Sequence, residues 1–327
     1  MAVFISDEIA RSVLAWPEMI ARLREVYSIE HPPFAGPPRT LARGKGIWMR
    51  TLTGVLPDGR VMGTKQFCFP RARKVRYMIS LFDQESGELL ALLDANTITA
   101  WRTGATTAMA VDRMARPGPL AVAVLGSGAE ARSHARAIAA ARPVTHMSVF
   151  SPNPARRDSF ARMVTEELEI PCRTASSARD AIAGADLVIG ATRTLDGKPA
   201  LEGAAVEPGI LVASIGATLP EHLEVDPEAI AEADLIVADI PHEVMEETGC
   251  FIAAKKAGVT FADKFVSLND LMTGKANDRL AVAHRPMFRS VGHSLQDLAV
   301  AELAWRAAVA RGLAAPLPAL DIKAKAD

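Results

Sequence analysis

The sequence has only three cysteines, Cys68, Cys172 and Cys250, far apart and odd in number. This excludes a disulfide framework or a cysteine-rich zinc cluster and leaves reduced structural thiols. An excess of one charge is also missing. Lys+Arg is 37 and Asp+Glu is 38, a formal net charge of −1. A nearly neutral chain without a basic block excludes nucleic acid as its principal ligand. No apolar run approaches the ~20 residues that cross a bilayer, so no membrane partner is expected. The longest runs are strand-sized, such as 120–125 (LAVAVL). MAVFISDEIARS carries acids where a signal peptide needs a basic flank and an apolar stretch, so a soluble cytoplasmic protein is expected. There is no G-x-S-x-G elbow of a serine hydrolase and no G-x-x-x-x-G-K-S/T phosphate loop. His242-Glu243 with Glu246 and Glu247 lacks the second histidine of a zinc helix. It reads as a solvated acidic helix face, and no metal is expected. Repeats and low-complexity stretches are absent. Only HPPFAGPP (31–38) and the tail KAKAD (323–327) look irregular.

The 327 residues are 49% hydrophobic and 23% charged, an ordinary globular composition with room for two domains. Ser6 followed by Asp7 and Glu8 predicts a helix start. Ile9, Val13, Ile20, Leu23 and Val26 recur at helical spacing, with Pro17 breaking the run into two short helices. Residues 46–95 read strand, turn, strand, twice over, with Asp58-Gly59 in the first turn. They predict a small antiparallel sheet. Residues 97–115 are helical again, and Arg116-Pro117-Gly118-Pro119 looks like a linker. Beyond it, short aliphatic strands (AVAVLG, HMSVF, DLVIGAT, ILVASIG, LIVAD) are separated by helices or loops. That alternation predicts an α/β fold with a doubly wound parallel sheet of Rossmann type. A last helix, about 294–311, carries Leu295, Leu298, Ala299, Leu303 and Trp305 and suits either domain as a cap.

Residues 126–131, Gly-Ser-Gly-Ala-Glu-Ala, follow an aliphatic strand and open a helix. This is the G-x-G-x-x-A form of the dinucleotide fingerprint. Gly126 permits the tight turn, Gly128 lets the backbone approach a pyrophosphate, and Ala131 lets the helix pack close to the strand. Ser127 and Ala129 stand at the helix N-terminus, whose free N–H groups and dipole favour phosphate. The end of the second strand selects the coenzyme: an Asp or Glu there bonds the ribose 2′-hydroxyl of NAD. Here the sequence is Phe150-Ser151-Pro152-Asn153, then Arg156 and Arg157. A serine with nearby guanidinium groups suits a 2′-phosphate, so NADP(H) is favoured and NAD(H) is the alternative.

With the fingerprint placed, the chain resembles the ornithine cyclodeaminase/mu-crystallin family nearly end to end. The resemblance rests on the arginine in IWMRT, the lysine in MGTKQF, LFDQESGELLALLDANTITAWRTGATTA, VAVLGSGAEARSH and FRSVGHSLQDLA, in that order. It implies a homodimer of two-domain subunits. A smaller α+β substrate and dimerisation domain would use both chain ends, 1–115 with 293–327. An NAD(P)-binding Rossmann domain would span 116–292. The short 46–95 sheet also needs a covering partner, as a dimer would supply. The family implies a small amino or imino acid as substrate. By the same resemblance Arg50 and Arg102 hold the substrate carboxylate and Lys65 is the active-site lysine. Two guanidinium forks clamp a carboxylate bidentately. A lysine between two arginines is expected to have a depressed pKa and to exchange a proton at neutral pH. Ser80, Thr103, Ser127, Thr192 and Ser290 are expected cofactor contacts.

One position departs from the family's cyclodeaminases. Where they carry an acid after Gly-Ala, this chain has Thr218, in Ser214-Ile215-Gly216-Ala217-Thr218-Leu219-Pro220-Glu221. A hydroxyl takes no proton at neutral pH, whereas cyclodeamination leans on that acid. Glu221 reads as an exposed loop acid. His134, inside the fingerprint helix, is expected to pack there, and His293 is left without a role. The reading is an NAD(P)-dependent imine reductase or the reverse amino-acid dehydrogenase. The alternatives are an ornithine cyclodeaminase-like lyase and a mu-crystallin-like binding protein.

Overall fold

A computed structural model describes residues 2–318 except 33, 71–74, 193, 195 and 196. The tail 323–327 and Pro33 of the 31–38 segment lie outside the described residues. The chain forms two compact units, one of residues 1–15, 31–99 and 294–327 and one of 16–30 and 100–293.

The first unit is built on an antiparallel meander. Its strands are β1 (Val3–Ile5), β2 (Thr40–Gly44), β3 (Ile47–Val55), β4 (Val61–Phe69), β5 (Arg76–Asp83) and β6 (Leu89–Asp94). β2 to β6 pair in sequence order; β1 joins β6 in parallel, and the short strand Ala315–Pro316 pairs with β1. The β3–β4 turn is where Asp58-Gly59 placed it, with Gly59 at φ +76°. Two-residue alternation then sorts the side chains. Leu52, Gly54, Gly63, Lys65, Ile79 and Leu81 are buried, while Met49, Thr53 and Met78 are exposed. The last helix, Ser294–Ala310, belongs to this unit and packs on β3, β4 and β5. Gly54 and Gly63 make that approach possible. A Cβ at Gly54 would lie 2.8 Å from Ser294 Oγ, and one at Gly63 3.0 Å from Leu298 Cδ2. Ser6 caps the helix Asp7–Val13 by accepting from the Ile9 N–H at 3.3 Å.

The second unit is an eight-stranded parallel sheet. Its strands are β7 (Leu120–Leu125), β8 (Val144–Phe150), β9 (Cys172–Thr174), β10 (Leu187–Gly190), β11 (Leu211–Ser214), β12 (Leu235–Ala238), β13 (Phe265–Ser267) and β14 (Pro286–Arg289). Their order is β13-β12-β14-β11-β10-β7-β8-β9. The chain leaves β7 in one direction through β8 and β9 and returns to its other side with β10. That reversal opens a crevice at the carboxyl ends of β7 and β10, the usual ligand position in such sheets. β7, β10, β11 and β12 are buried along their whole length, as strands covered by helices on both faces must be.

The units divide elsewhere than at 115/116 and 292/293. The helix Trp16–Ser28 goes with the second unit, where Asn269 Nδ2 donates to the carbonyls of Tyr27 and Ile29 at 2.9 and 2.8 Å. The two short helices expected about Pro17 are present, Asp7–Val13 and Trp16–Ser28, and the proline occupies the first turn of the second, where its missing N–H has no cost. The helix Asn96–Met114 runs past the dividing point at residue 100 and packs closely on the fingerprint helix Ala129–Ala141. A Cβ at Gly104 would lie 3.0 Å from the Ser133 carbonyl oxygen. Among the described residues no helix is long and apolar enough to cross a membrane.

His134 joins the two helices. Its Nδ1 lies 2.7 Å from the Glu130 carbonyl and its Nε2 3.0 Å from Thr107 Oγ1, with the ring fully buried. Burial holds its pKa below the ordinary 6.5, against the opposing pull of Glu130. The unfolded chain therefore takes up this proton first as pH falls. The stability that the neutral ring supplies is complete above about pH 6.5 and declines below it. Urea midpoints should fall between about pH 7 and pH 5, before most carboxylates titrate. His134→Gln should flatten that decline, and an unchanged slope in the variant would contradict the assignment.

Candidate active site

The fingerprint loop has the shape its glycines require. Gly126 sits at φ +117°, and a Cβ there would come within 2.5 Å of the Ala191 carbonyl oxygen. Gly128 caps the thirteen-residue helix that begins at Ala129, and a Cβ on it would meet nothing within 4 Å. Its side-chain position opens onto free space, as a cradle for a phosphate backbone demands. Ala131 is fully buried. The loop forms one wall of a cavity of about 680 Å³, lined also by Ser151, Arg156 and Thr192. That volume is of coenzyme scale, and these residues fit a dinucleotide.

The two arginines after β8 separate. Arg156 lines the cavity. Arg157 does not; it donates to the Ser151 carbonyl at 3.2 Å and lies over the Phe150 ring at 5.9 Å. Ser127 Oγ donates to Ser151 Oγ at 2.9 Å, which ties the fingerprint to the end of the second strand.

Two buried carboxylates brace the strand ends. Glu224 accepts from the Thr192 N–H at 2.6 Å, Thr192 Oγ1 at 3.0 Å, Ser214 Oγ at 2.7 Å and the Gly216 N–H at 2.9 Å. Arg289, also fully buried, stands 4.0 Å from it and donates to Ser214 O at 2.6 Å and to the Ala217 carbonyl. The segment leading to Thr218 is thereby fixed. Thr218 is half-buried and Glu221 exposed. Asp239, after β12, accepts from Ser290 Oγ at 2.6 Å and from the Val291 and Gly292 N–H groups at 3.0 and 2.8 Å. The Ser290 hydroxyl is thus engaged within the protein. Gly292, at φ +88°, lies against the buried Arg102; a Cβ there would be 2.6 Å from Arg102 Nη2. Thr103, next on the helix, is half-buried and accepts at its carbonyl from the Thr107 hydroxyl at 3.0 Å.

In the first unit, Lys65 Nζ lies 2.8 Å from Asp297 Oδ1, with side chains 3% and 0% exposed. The rings of Phe67 and Tyr77 stand 5.5 and 5.6 Å from the ammonium. Its ion-pair partner is the Asp297 carboxylate. Arg50 is on the same sheet face, its neighbour Phe67 in register, and its guanidinium lies 5.6 Å over Trp48. Ser80 is on the opposite face, sharing a 2.8 Å hydrogen bond with the Thr64 hydroxyl. Arg50, Lys65 and Ser80 thus belong to one unit. Arg102, Thr103, Thr218, Ser290 and the loop residues belong to the other.

Asp297, Glu224 and Asp239 escaped the sequence reading. Asp297 had a signal, one of two acids in a helix rich in Ala and Leu. The 242–247 segment also needs correction: Glu243 is buried, while His242, Glu246 and Glu247 are exposed. Among the described residues no cluster of His, Cys, Asp or Glu suits a metal. The three cysteines are free thiols, and burial pushes Cys172 up to about 12.

Residues 69–311 match the model of the Ornithine cyclodeaminase/mu-crystallin family. The chain is 27% identical over 320 residues to a Delta(1)-pyrroline-2-carboxylate reductase of Bacillus cereus, covering 95% of this chain and 94% of that one. It is 30% identical over 227 residues to ketimine reductase mu-crystallin of Mus musculus, covering 69% and 68%. The crystal structure of a probable ornithine cyclodeaminase from Bordetella pertussis superimposes with a TM-score of 0.84 at 28% identity, covering 97% and 100%.

The Glu224 network yields a stability prediction. Glu224→Leu would leave the Arg289 guanidinium buried without its carboxylate and the Thr192 and Gly216 N–H groups without an acceptor. Urea denaturation should show a loss of about 3–5 kcal/mol. A loss below about 1 kcal/mol would mean that water or relaxation replaces the network.

Proposed function

The chain belongs to the ornithine cyclodeaminase/mu-crystallin family, and on that premise we propose that it reduces the C=N bond of a small α-imino acid with a nicotinamide coenzyme, or runs the reverse amino-acid dehydrogenation. The observation that carries this reading is the buried Lys65–Asp297 pair, an ammonium held at 2.8 Å by its own counter-ion. The Bacillus and mouse relatives are both named for C=N reduction, which points to a cyclic α-imino acid.

Gly126, Ser127, Gly128 and Ala129 would hold the coenzyme, which would supply the hydride. Arg50 and Arg102 hold the substrate carboxylate, whose planar pair of oxygens suits guanidinium forks. Lys65 gives the proton that accompanies hydride arrival at the imine carbon, and Asp297 orients its ammonium. Thr218 orients a water or the imine nitrogen through its hydroxyl. Cyclodeamination is the weaker reading because this segment offers no available base. Glu221 is exposed, and both oxygens of Glu224 accept hydrogen bonds.

Ser151 with Arg156, and no acid at the end of β8, favours NADPH over NADH. A homodimer is the assembly proposed. Phe4, Met49 and Met78, all exposed, border an apolar hollow of about 350 Å³ on the first unit's sheet. A second subunit would cover such a patch. Free thiols suit the reducing cytoplasm.

Coenzyme oxidation with a panel of cyclic α-imino acids, followed by absorbance, tests the reading. Lys65→Met should lower kcat by about 10²–10⁴ with coenzyme affinity unchanged. Thr218→Ala should be much milder. If losing Lys65 costs less than about tenfold while losing Thr218 abolishes turnover, the proton has another source. Arg102→Ala should raise KM steeply and lower kcat as orientation is lost; an unchanged KM would remove it from the carboxylate site. Sedimentation at micromolar concentration should give a dimer, and a monomer alone would refute the assembly.

A further inference from the structure

We infer that Arg179, on the short helix Ala178–Ile182 after β9, is the second guanidinium of the coenzyme's 2′-phosphate site and sets the preference for NADPH. The inference rests on the coenzyme reading proposed above. No fingerprint position pointed to this residue. Its evidence is where its side chain lies and what surrounds it.

Arg156 and Arg179 come from helices that follow neighbouring strands, β8 and β9, and both line the fingerprint cavity. The other nearby arginines are committed elsewhere. Arg157 turns to the Ser151 carbonyl and the Phe150 ring. Arg173 donates to the Asp180 carboxylate at 2.9 Å and to the Asp180 carbonyl at 2.6 Å. Asp180 is next to Arg179 in sequence and would be its natural counter-ion. Its carboxylate is already taken by Arg173 and by the Ser176 N–H and hydroxyl, at 2.7 and 2.9 Å. Among the described residues, the guanidinium groups of Arg156 and Arg179 make no hydrogen bond or ion pair. Two like charges facing one cavity repel each other, and a phosphate dianion between them relieves the repulsion.

Ser151 completes the site. Its hydroxyl accepts from Ser127 Oγ, which leaves its own proton to donate to a phosphate oxygen. The cavity also holds Lys198 and one acid, Glu202. Glu202 lies beyond β10, not at the end of β8 where an acid bonds the ribose hydroxyl of NAD. It therefore does not make this an NADH site.

The test is calorimetric titration of the full chain with adenosine 2′,5′-bisphosphate and with 5′-AMP, ligands that differ only in the 2′-phosphate. The wild type should bind the bisphosphate at least about tenfold more tightly. Arg179→Ala should remove about tenfold or more of that difference and leave 5′-AMP unchanged. Both arginines are exposed, so the substitution leaves the fold intact. Arg162→Ala, an equal charge change on the helix Pro154–Leu168 but away from the cavity, should leave the difference in place. If the wild type binds both ligands equally, the NADPH preference and this inference fall together. If the wild type discriminates and Arg179→Ala does too, only this inference falls. If Glu202→Ala weakens 5′-AMP while Arg179→Ala changes nothing, the adenosine ribose is held by the acid and the inference is overturned.

Discussion

The carboxylate of Glu224 has no exposure to solvent, yet it accepts hydrogen bonds from the loop after β10 and from the end of β11, and it stands 4.0 Å from the guanidinium of Arg289 on β14. A lone carboxylate in that place would cost several kcal/mol. Four donors and a buried guanidinium offset the cost only if each holds its position, so the strand ends that supply them are locked together. Gly190 and Gly216 provide the room. A Cβ at Gly190 would lie 2.8 Å from the Glu224 carboxyl carbon, and one at Gly216 2.5 Å from Oε1. The ligand edge of the parallel sheet is thus organised from inside, by charge and not by apolar packing alone. Asp239 repeats the device after β12, where it holds the 290–292 turn against which Arg102 lies.

The first unit uses the same physics for a chemical end. Lys65, on an antiparallel sheet, and Asp297, on the helix that packs against it, are buried together. Replacing such a pair with hydrophobic groups of similar volume is often neutral or stabilising. Its presence suits the role proposed for Lys65, that of proton donor. In the proposed mechanism the Thr218 hydroxyl orients but takes no proton.

Much of the fold was legible because local chemistry and global structure agree. The G-x-G-x-x-A run lies between a buried strand and a helix, the Ser6 cap starts the helix Asp7–Val13, and Asp58-Gly59 turns β3 into β4. Other parts were hidden for physical reasons. β14, PMFR, opens on a proline and carries a buried arginine, so no aliphatic run marks it. β9 and β13 have three residues each, too short for a periodic pattern. Pro17 marks the division between the two N-terminal helices to within a few residues, since a helix accepts proline in its first turn and not in its interior. At the site, the motif positions carried the nominees, but the carboxylates that position them did not stand out. Glu224 and Asp297 meet partners 32 and 232 residues away, and no local spacing encodes such a meeting.

Hydride transfer itself gives the most direct check on the account. The enzyme would be given NADPH carrying deuterium at both C4 positions and a cyclic α-imino acid, and the amino acid formed would be analysed by mass spectrometry and NMR. The account predicts one deuterium on the α-carbon for each coenzyme oxidised, and no ammonia from ornithine supplied in a parallel reaction. Ammonia release from ornithine without net coenzyme oxidation, or an amino acid product free of deuterium, would contradict it.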